Sequence, residues 1–174
     1  MRSLNSTPVK PLLGTQFTRQ TTRAIVLDGD KILLLYTARY DDYTLPGGGV
    51  DSGESIQDAL LRELQEETGV RQITQIEAFG RYEEYRPWYK NDFDVIHIVS
   101  DCYICDICGH FDTPKMEDYE TANGMSPMWV DISTAIEHNK KTLANSQKQG
   151  LSLIREISLL EQIKDHYMTS SHSK

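Results

Sequence analysis

The chain has 174 residues, 39% of them hydrophobic and 25% charged, with a formal net charge of −8. That length and balance fit one globular domain with its own core. The acidic excess argues against a broad basic face for duplex nucleic acid, so attraction for a polyanion must be local or come from bound cations. No apolar run approaches the roughly 18 residues of a membrane span, and no apolar signal core follows Met1. The expectation is a cytoplasmic protein with a loose lead-in over Met1–Thr15, a single domain over residues 16–167 and a disordered tail over Met168–Lys174.

In chain order, Thr21–Leu27 and Lys31–Tyr36 are β-rich runs joined by Asp28-Gly29-Asp30, a hairpin signature. Ile32–Leu35 is continuously apolar and predicts a strand buried on both faces. Tyr43–Leu45 is a short strand stopped by Pro46-Gly47-Gly48-Gly49. Ser55–Thr68 reads as a helix with Gly69 as its terminator. Ile73–Tyr85 and Phe93–Cys108 read as antiparallel strands about a turn at Arg86–Asp92. Thr113–Pro127 is a polar loop, Met128–Asp131 a short strand, and Ser133 caps a small helix reaching Asn139. Leu151–Tyr167 is a final helix with one apolar face. This order describes an α/β fold, a mixed and partly antiparallel sheet with helices on both sides.

Cys102, Cys105 and Cys108 have a spacing that a metal loop could use. On a continuous strand, however, Cys102 and Cys108 share one face and Cys105 points to the other, so three ligands cannot converge. They read as small buried hydrophobes.

The helix carries a less ordinary pattern. At about 100° per residue, Glu63, Glu66 and Glu67 fall within about 60° of one another. Ile56, Ala59 and Leu60 lie on the same side, so the carboxylates continue the apolar stripe. They also sit in the last turns, where the helix dipole disfavours acids, and like charges at these spacings repel. A partly desolvated carboxylate cluster calls for a positive partner. Arg62 offers one charge; a hard divalent cation such as Mg²⁺ offers two and prefers oxygen ligands. The preceding glycines let a backbone carbonyl or amide approach an ion or phosphate closely. Glu54 can cap the helix or pair with Arg62.

The segment Gly48–Val70 matches the Nudix box, G-x5-E-x7-R-E-U-x-E-E-x-G-U with U aliphatic, at every fixed position. The chain therefore resembles the Nudix hydrolases, and the resemblance implies an α/β/α sandwich. It implies a divalent metal, Mg²⁺ with Mn²⁺ as substitute, held by Glu63, Glu66, Glu67 and the Gly48 carbonyl, with Arg62 and Glu54 orienting that shell. It also implies hydrolysis of a small nucleoside diphosphate derivative by water attack at phosphorus, the metal offsetting phosphate charge. Either a box glutamate, Glu66 or Glu67, or an acid on the later loop can take the water's proton. On that loop, which carries Glu117, Asp118 and Glu120, Glu120 is favoured over Glu117.

Arg23 and Arg39 flank the first two strands as candidate substrate contacts. Tyr85 and Arg86 lie in an aromatic and basic run, Arg81–Lys90, which suits either stacking on a nucleobase or a homodimer interface. Two other readings remain: a catalytically silent nucleotide-binding module, and an isoprenoid diphosphate isomerase, whose cysteine chemistry three cysteines in one strand fit poorly.

Overall fold

Strand β3, Lys31–Thr37, has Ile32–Leu35 fully buried. Successive side chains on a strand point to opposite faces, so a run buried at every position needs packing on both sides. The computed structural model, which describes residues 1–171, supplies it. Ile32 and Leu34 enter a core with Leu4, Ile25, Phe79, Cys102 and the helical residues Ala135, Ile136, Leu159, Leu160 and Ile163. Leu33 enters a second core with Ala24, Val26, Cys105, Val70 and the helical residues Leu60 and Leu64. Two cores on opposite faces of the strands make an α/β/α sandwich.

Strand β1, Gln16–Ile25, runs parallel to β6, Val95–Cys108, which pairs antiparallel with β5, Gln72–Pro87. In the other sheet, β7, Met125–Asp131, lies along the full length of β3. The two-residue β2, Leu27–Asp28, and β4, Asp42–Thr44, share the opposite edge. After β4 the chain crosses to β1. Ala24 N–H donates to Pro46 O at 2.9 Å, Thr22 N–H to Gly48 O at 3.0 Å and Val50 N–H to Gln20 O at 3.0 Å. The glycine-rich segment thus joins the two sheets and lies beside the helix that follows.

That helix, α1, spans Ile56–Thr68. The Ser55 side chain accepts from Asp58 N–H at 3.1 Å. Gly69, at φ 77°, closes it by donating to Gln65 O, a left-handed cap that glycine adopts without steric cost.

Several boundaries differ from the sequence expectation. Strand β1 starts at Gln16, because parallel pairing with β6 extends it beyond its apolar end. Arg86 and Pro87 belong to β5, and β6 begins at Val95. The loop expected over Thr113–Pro127 contains a short helix, α2, Asp118–Ala122, and the start of β7. Among the described residues β7 pairs with β3 alone, and an edge strand of this kind tolerates a proline. Helix α3, Ile132–Asn145, is capped by Asp131, whose carboxylate accepts from Thr134 N–H at 2.7 Å, and not by Ser133.

The lead-in is docked at Leu4, which is 1% exposed and whose N–H donates to Arg81 O at 2.7 Å, while residues 6–14 are largely exposed and without regular structure. Cys102 and Cys105 are buried, but Cys108, at the strand end, is exposed. Helix α4, Leu153–Ser171, continues through 168–171 of the expected tail; residues 172–174 of that tail lie outside the described residues. No helix among the described residues is long and apolar enough to cross a membrane.

Candidate active site

An open cleft of about 470 Å³ lies between the two sheets. Strand alternation places Arg19, Thr21 and Arg23 from β1 on its wall, with Leu35 and Thr37 from β3 and Asp42 and Thr44 from β4. Gly47–Gly49 and Glu67 line it from the glycine loop and α1; Tyr119, Glu120 and Asn123 come from around α2; Gly150, Leu151 and Arg155 from the start of α4.

Gly47 packs flat against β1. It sits at φ 135°, and a Cβ there would fall on Thr22 O and lie 3.0 Å from Arg23 Cα. Its N–H donates to Glu67 Oε2 at 2.6 Å, and its carbonyl accepts from Arg23 Nη1. At Gly48 a Cβ would stand 2.6 Å from Glu63 Oε2, so only glycine allows this carboxylate so near the loop.

Arg62 clamps the loop to the helix. Its Nε and Nη2 donate to both oxygens of Glu54, each at 2.9 Å, and Nη2 also donates to Gly49 O at 3.0 Å. Its Nη1 reaches Glu63 Oε1 at 2.8 Å and Glu66 Oε2 at 3.4 Å. Glu54 also accepts from Asp51 N–H, and with Arg62 this holds its carboxyl down to about 2. The Glu54–Arg62 pairing is formed; the N-cap belongs to Ser55.

The three helical glutamates occupy different environments. Glu67 is 4% exposed. Burial pushes its carboxyl well above the usual range, against the Gly47 N–H bond and Arg23, while Glu63 and Glu120 raise it further. Burial also raises Glu63. Glu66 is half-exposed. Among the described residues, no group of three or more His, Cys, Asp or Glu side chains is arranged as a complete metal cage; Glu63 and Glu66 turn toward Arg62. Glu120 is buried, and its two oxygens accept from Tyr119 OH at 3.0 Å and Glu117 N–H at 2.8 Å.

The expected substrate contacts divide. Arg23 and Arg86 line the cleft. Burial lowers Arg23 below the usual arginine range, Arg155 adds to the lowering, and Glu156 and Glu67 oppose it. Arg86 is bound to Glu84. Arg39 lies outside the cleft, bonded to Asn123 and set over the Tyr40 ring. Tyr85 also lies outside it, stacked on His97 at 4.4 Å. Sequence reading missed Arg19 and Asp42. Extending β1 to Gln16 reveals Arg19, two residues before Thr21 and four before Arg23 on one face. Asp42 carries no local signal; it is buried with Gly150 against its carboxylate and with Glu156 of α4 and His138 of α3 acting on its charge.

The family model for the NUDIX domain matches residues 18–153. An uncharacterized Nudix hydrolase, YvcI, of Bacillus subtilis (strain 168) is 39% identical over 54 residues, 31% of this chain and 34% of that protein. An RNA pyrophosphohydrolase of Ruthia magnifica subsp. Calyptogena magnifica is 40% identical over 76 residues, 42% of this chain and 40% of that protein. The chain thus spans less than half the length of these curated relatives. Among solved structures, a MutT NUDIX hydrolase from Burkholderia pseudomallei superposes with TM-score 0.51 at 20% identity, covering 67% of this chain and 85% of that one. A MutT protein from Bacillus halodurans gives 0.53 at 21% identity, covering 75% and 84%.

Proposed function

We propose that this chain, which belongs to the Nudix hydrolase family, cleaves a diphosphate bond in a nucleoside diphosphate linked to another group, by attack of water at phosphorus. The candidates are a nucleoside triphosphate, a nucleotide sugar or a dinucleotide. The observation that carries the reading is the Arg62 clasp, which ties Glu54, Gly49, Glu63 and Glu66 together beside a cleft lined by Glu67 and Glu120.

The donor set suits a hard divalent cation. It consists of oxygen ligands, Glu63 and Glu67 are kept partly or fully from water, and Gly48 has no Cβ to keep the Glu63 carboxylate away. Mg²⁺, or Mn²⁺ in its place, would be held by Glu63, Glu66, Glu67 and the Gly48 carbonyl. The carbonyl accepts one bond from Thr22 and keeps a second lone pair. When bound, the ion supplies positive charge against the phosphates and makes water more acidic.

The chain's own residues do the rest. Arg62 and Glu54 fix the loop against the helix. Glu120, oriented by Tyr119 OH and Glu117 N–H, takes the proton of the attacking water. Arg23, Arg86 and Arg19 face the cleft as local cations in an acidic protein, placed to offset charge on the phosphates. The net charge of −8 favours a short ligand over a long polyanion.

The test is a panel of nucleoside triphosphates, nucleotide sugars, dinucleotides and 5′-triphosphate RNA, the last because curated relatives carry the RNA pyrophosphohydrolase name. Release of phosphate or mononucleotide should require Mg²⁺ or Mn²⁺ and be lost in Glu66→Gln and Glu67→Gln. No metal-dependent release from any compound, or full release by both variants, would sink the reading. Binding without turnover would favour the silent module.

A further inference from the structure

Buried polar atoms in native proteins are nearly always hydrogen-bonded, so each directs attention to the group that serves it. Among the described residues, three buried side-chain atoms lack a partner: Thr22 Oγ1, Arg23 Nε and Asp42 Oδ1. The buried N–H of Leu45 does have one, at the point where the chain leaves one sheet for the other. Strand β4 ends at Thr44, paired with Leu35, so the Leu45 N–H lies beyond that ladder. Pro46, the next residue, has no N–H. The Leu45 N–H donates to Glu156 Oε2 of α4 at 2.9 Å, across 111 positions of sequence. The later anchors of the glycine loop come from β1 and α1: Ala24 N–H on Pro46 O, Glu67 on Gly47 N–H and Thr22 N–H on Gly48 O.

Helix α4 does not need a carboxylate for docking, because Leu153, Ile157, Leu159, Leu160 and Ile163 are all buried. Glu156 is fully buried too, and its Oε1 accepts from Arg155 Nε and Nη2 at 3.0 and 2.8 Å. Arg155, itself buried, also donates to Glu84 Oε1 at 2.7 Å, and Glu84 holds Arg86. A buried pair of this kind adds little net stability, and apolar residues of similar volume often serve as well. Its contribution here is direction. A charged acceptor makes a shorter and stronger bond than a neutral one, and the guanidinium on Oε1 keeps Oε2 turned to Leu45.

We propose that Glu156 is a positioning residue for the glycine loop, held to that task by Arg155. The assignment rests on the metal reading above, in which the Gly48 carbonyl is a ligand. Three consecutive glycines, Gly47–Gly49, have wide backbone freedom, so the loop takes its conformation from anchors on either side. Those after the crossing are the contacts to β1 and α1. The one before it is the Leu45–Glu156 bond, three residues ahead of Gly48. Glu156 touches neither ion nor substrate in this scheme; it fixes where the loop begins, and through it the carbonyl and the Gly47 N–H that holds Glu67.

The test compares two double variants of the full chain, because removing one charge of a buried pair strands the other. Arg155→Met with Glu156→Gln loses both charges and leaves the carboxamide oxygen to the Leu45 N–H. Arg155→Met with Glu156→Met loses that acceptor as well. Mn²⁺ binding is read from the electron paramagnetic resonance of the free ion, at a temperature where melting curves show each variant folded. Groups that orient metal ligands from outside typically change affinity by about tenfold or more, so the Met variant should bind at least about tenfold more weakly than wild type and the Gln variant within about threefold of it. A role in stability alone would lower the Tm of the Met variant and leave its Mn²⁺ affinity at the wild-type value, and that result would overturn the assignment. Equal weakening in both variants would overturn it too. Amide exchange in the wild type needs no substitution: Leu45 should be protected like the amides of β3, and exchange as fast as at exposed Ser52 and Gly53 would overturn the assignment by itself. No Mn²⁺ binding by the wild type would sink the metal reading together with this one. The expected binding pattern in a protein without turnover would refute hydrolysis alone.

Discussion

Glu67→Gln should uncouple the protein's stability from magnesium. Glu67 is 4% exposed, with its carboxyl raised by burial and by the charges of Glu63 and Glu120. Glutamine keeps an oxygen for the Gly47 N–H, now bonded at 2.6 Å, and removes the charge. Without metal, the variant should melt no lower than the wild type, because a buried charge that lacks a full partner is replaced by a neutral group. With metal the order should reverse. A ligand at about 100 times its Kd stabilises the folded state by about 2.7 kcal/mol, and a domain of this size gains about 2–4 °C per kcal/mol. Millimolar Mg²⁺ should therefore raise the wild-type Tm by about 5–11 °C, Mn²⁺ should do likewise, and the variant should show little of the increment. The assay is calorimetric melting after chelation, then with Mg²⁺, Mn²⁺ or sodium chloride at matched ionic strength. No rise in the wild type, or an equal rise in Glu67→Gln, would refute the placement of a cation beside this carboxylate.

Three further outcomes follow from other parts of the molecule. Glu120→Gln should lower kcat by about 10²- to 10⁴-fold and leave the Mg²⁺ increment in Tm in place; loss of both together would make Glu120 a metal ligand instead of a base. Asp42 should make the fold less stable at neutral than at acid pH. Its carboxyl titrates at about 6 folded and near 3.9 unfolded, so between these values the folded state holds a proton that the unfolded chain has lost. This contribution is most favourable below about pH 4 and declines as pH rises through 6, by about 1–2 kcal/mol after allowance for solvent screening. Asp42→Asn should flatten that part of the wild-type curve in urea melts; parallel curves would contradict it. Leu4→Ala should cost about 2–5 kcal/mol, read in the same melts, because Leu4 fills the core under Phe79 and α4; a loose lead-in would give no change.

The Nudix box could be read from sequence because its parts are local. A helix repeats every few residues through hydrogen bonds within itself, so the placement of Glu63, Glu66 and Glu67 follows from their spacing, and Ser55 and Gly69 mark the ends. The expectation that the carboxylates extend the apolar stripe holds most fully for Glu67, while Glu66 lies at its edge, half-exposed. The pairing of Glu54 with Arg62 was one of two options that the sequence left open. The Arg62 fork reaches Gly49 as well as Glu54, and the structure selects the pairing.

The remainder was settled by contacts between segments far apart in the chain. Strand β1 gains its first five residues, and with them Arg19, from parallel pairing with a strand about eighty positions away, as in Gln16 with Val95; nothing in Gln16–Gln20 marks it as a strand. Tyr85 was drawn toward the substrate by its neighbours in sequence, yet it stacks on His97 across the β5–β6 pair. Asp42 looks like any turn aspartate until Gly150 and Glu156 close over it. The sequence by itself determined the family and the acidic helix. Only the tertiary structure decided which further side chains share the cleft and which of them are left without a partner, because burial is set by whatever packs on a residue and not by its neighbours along the chain.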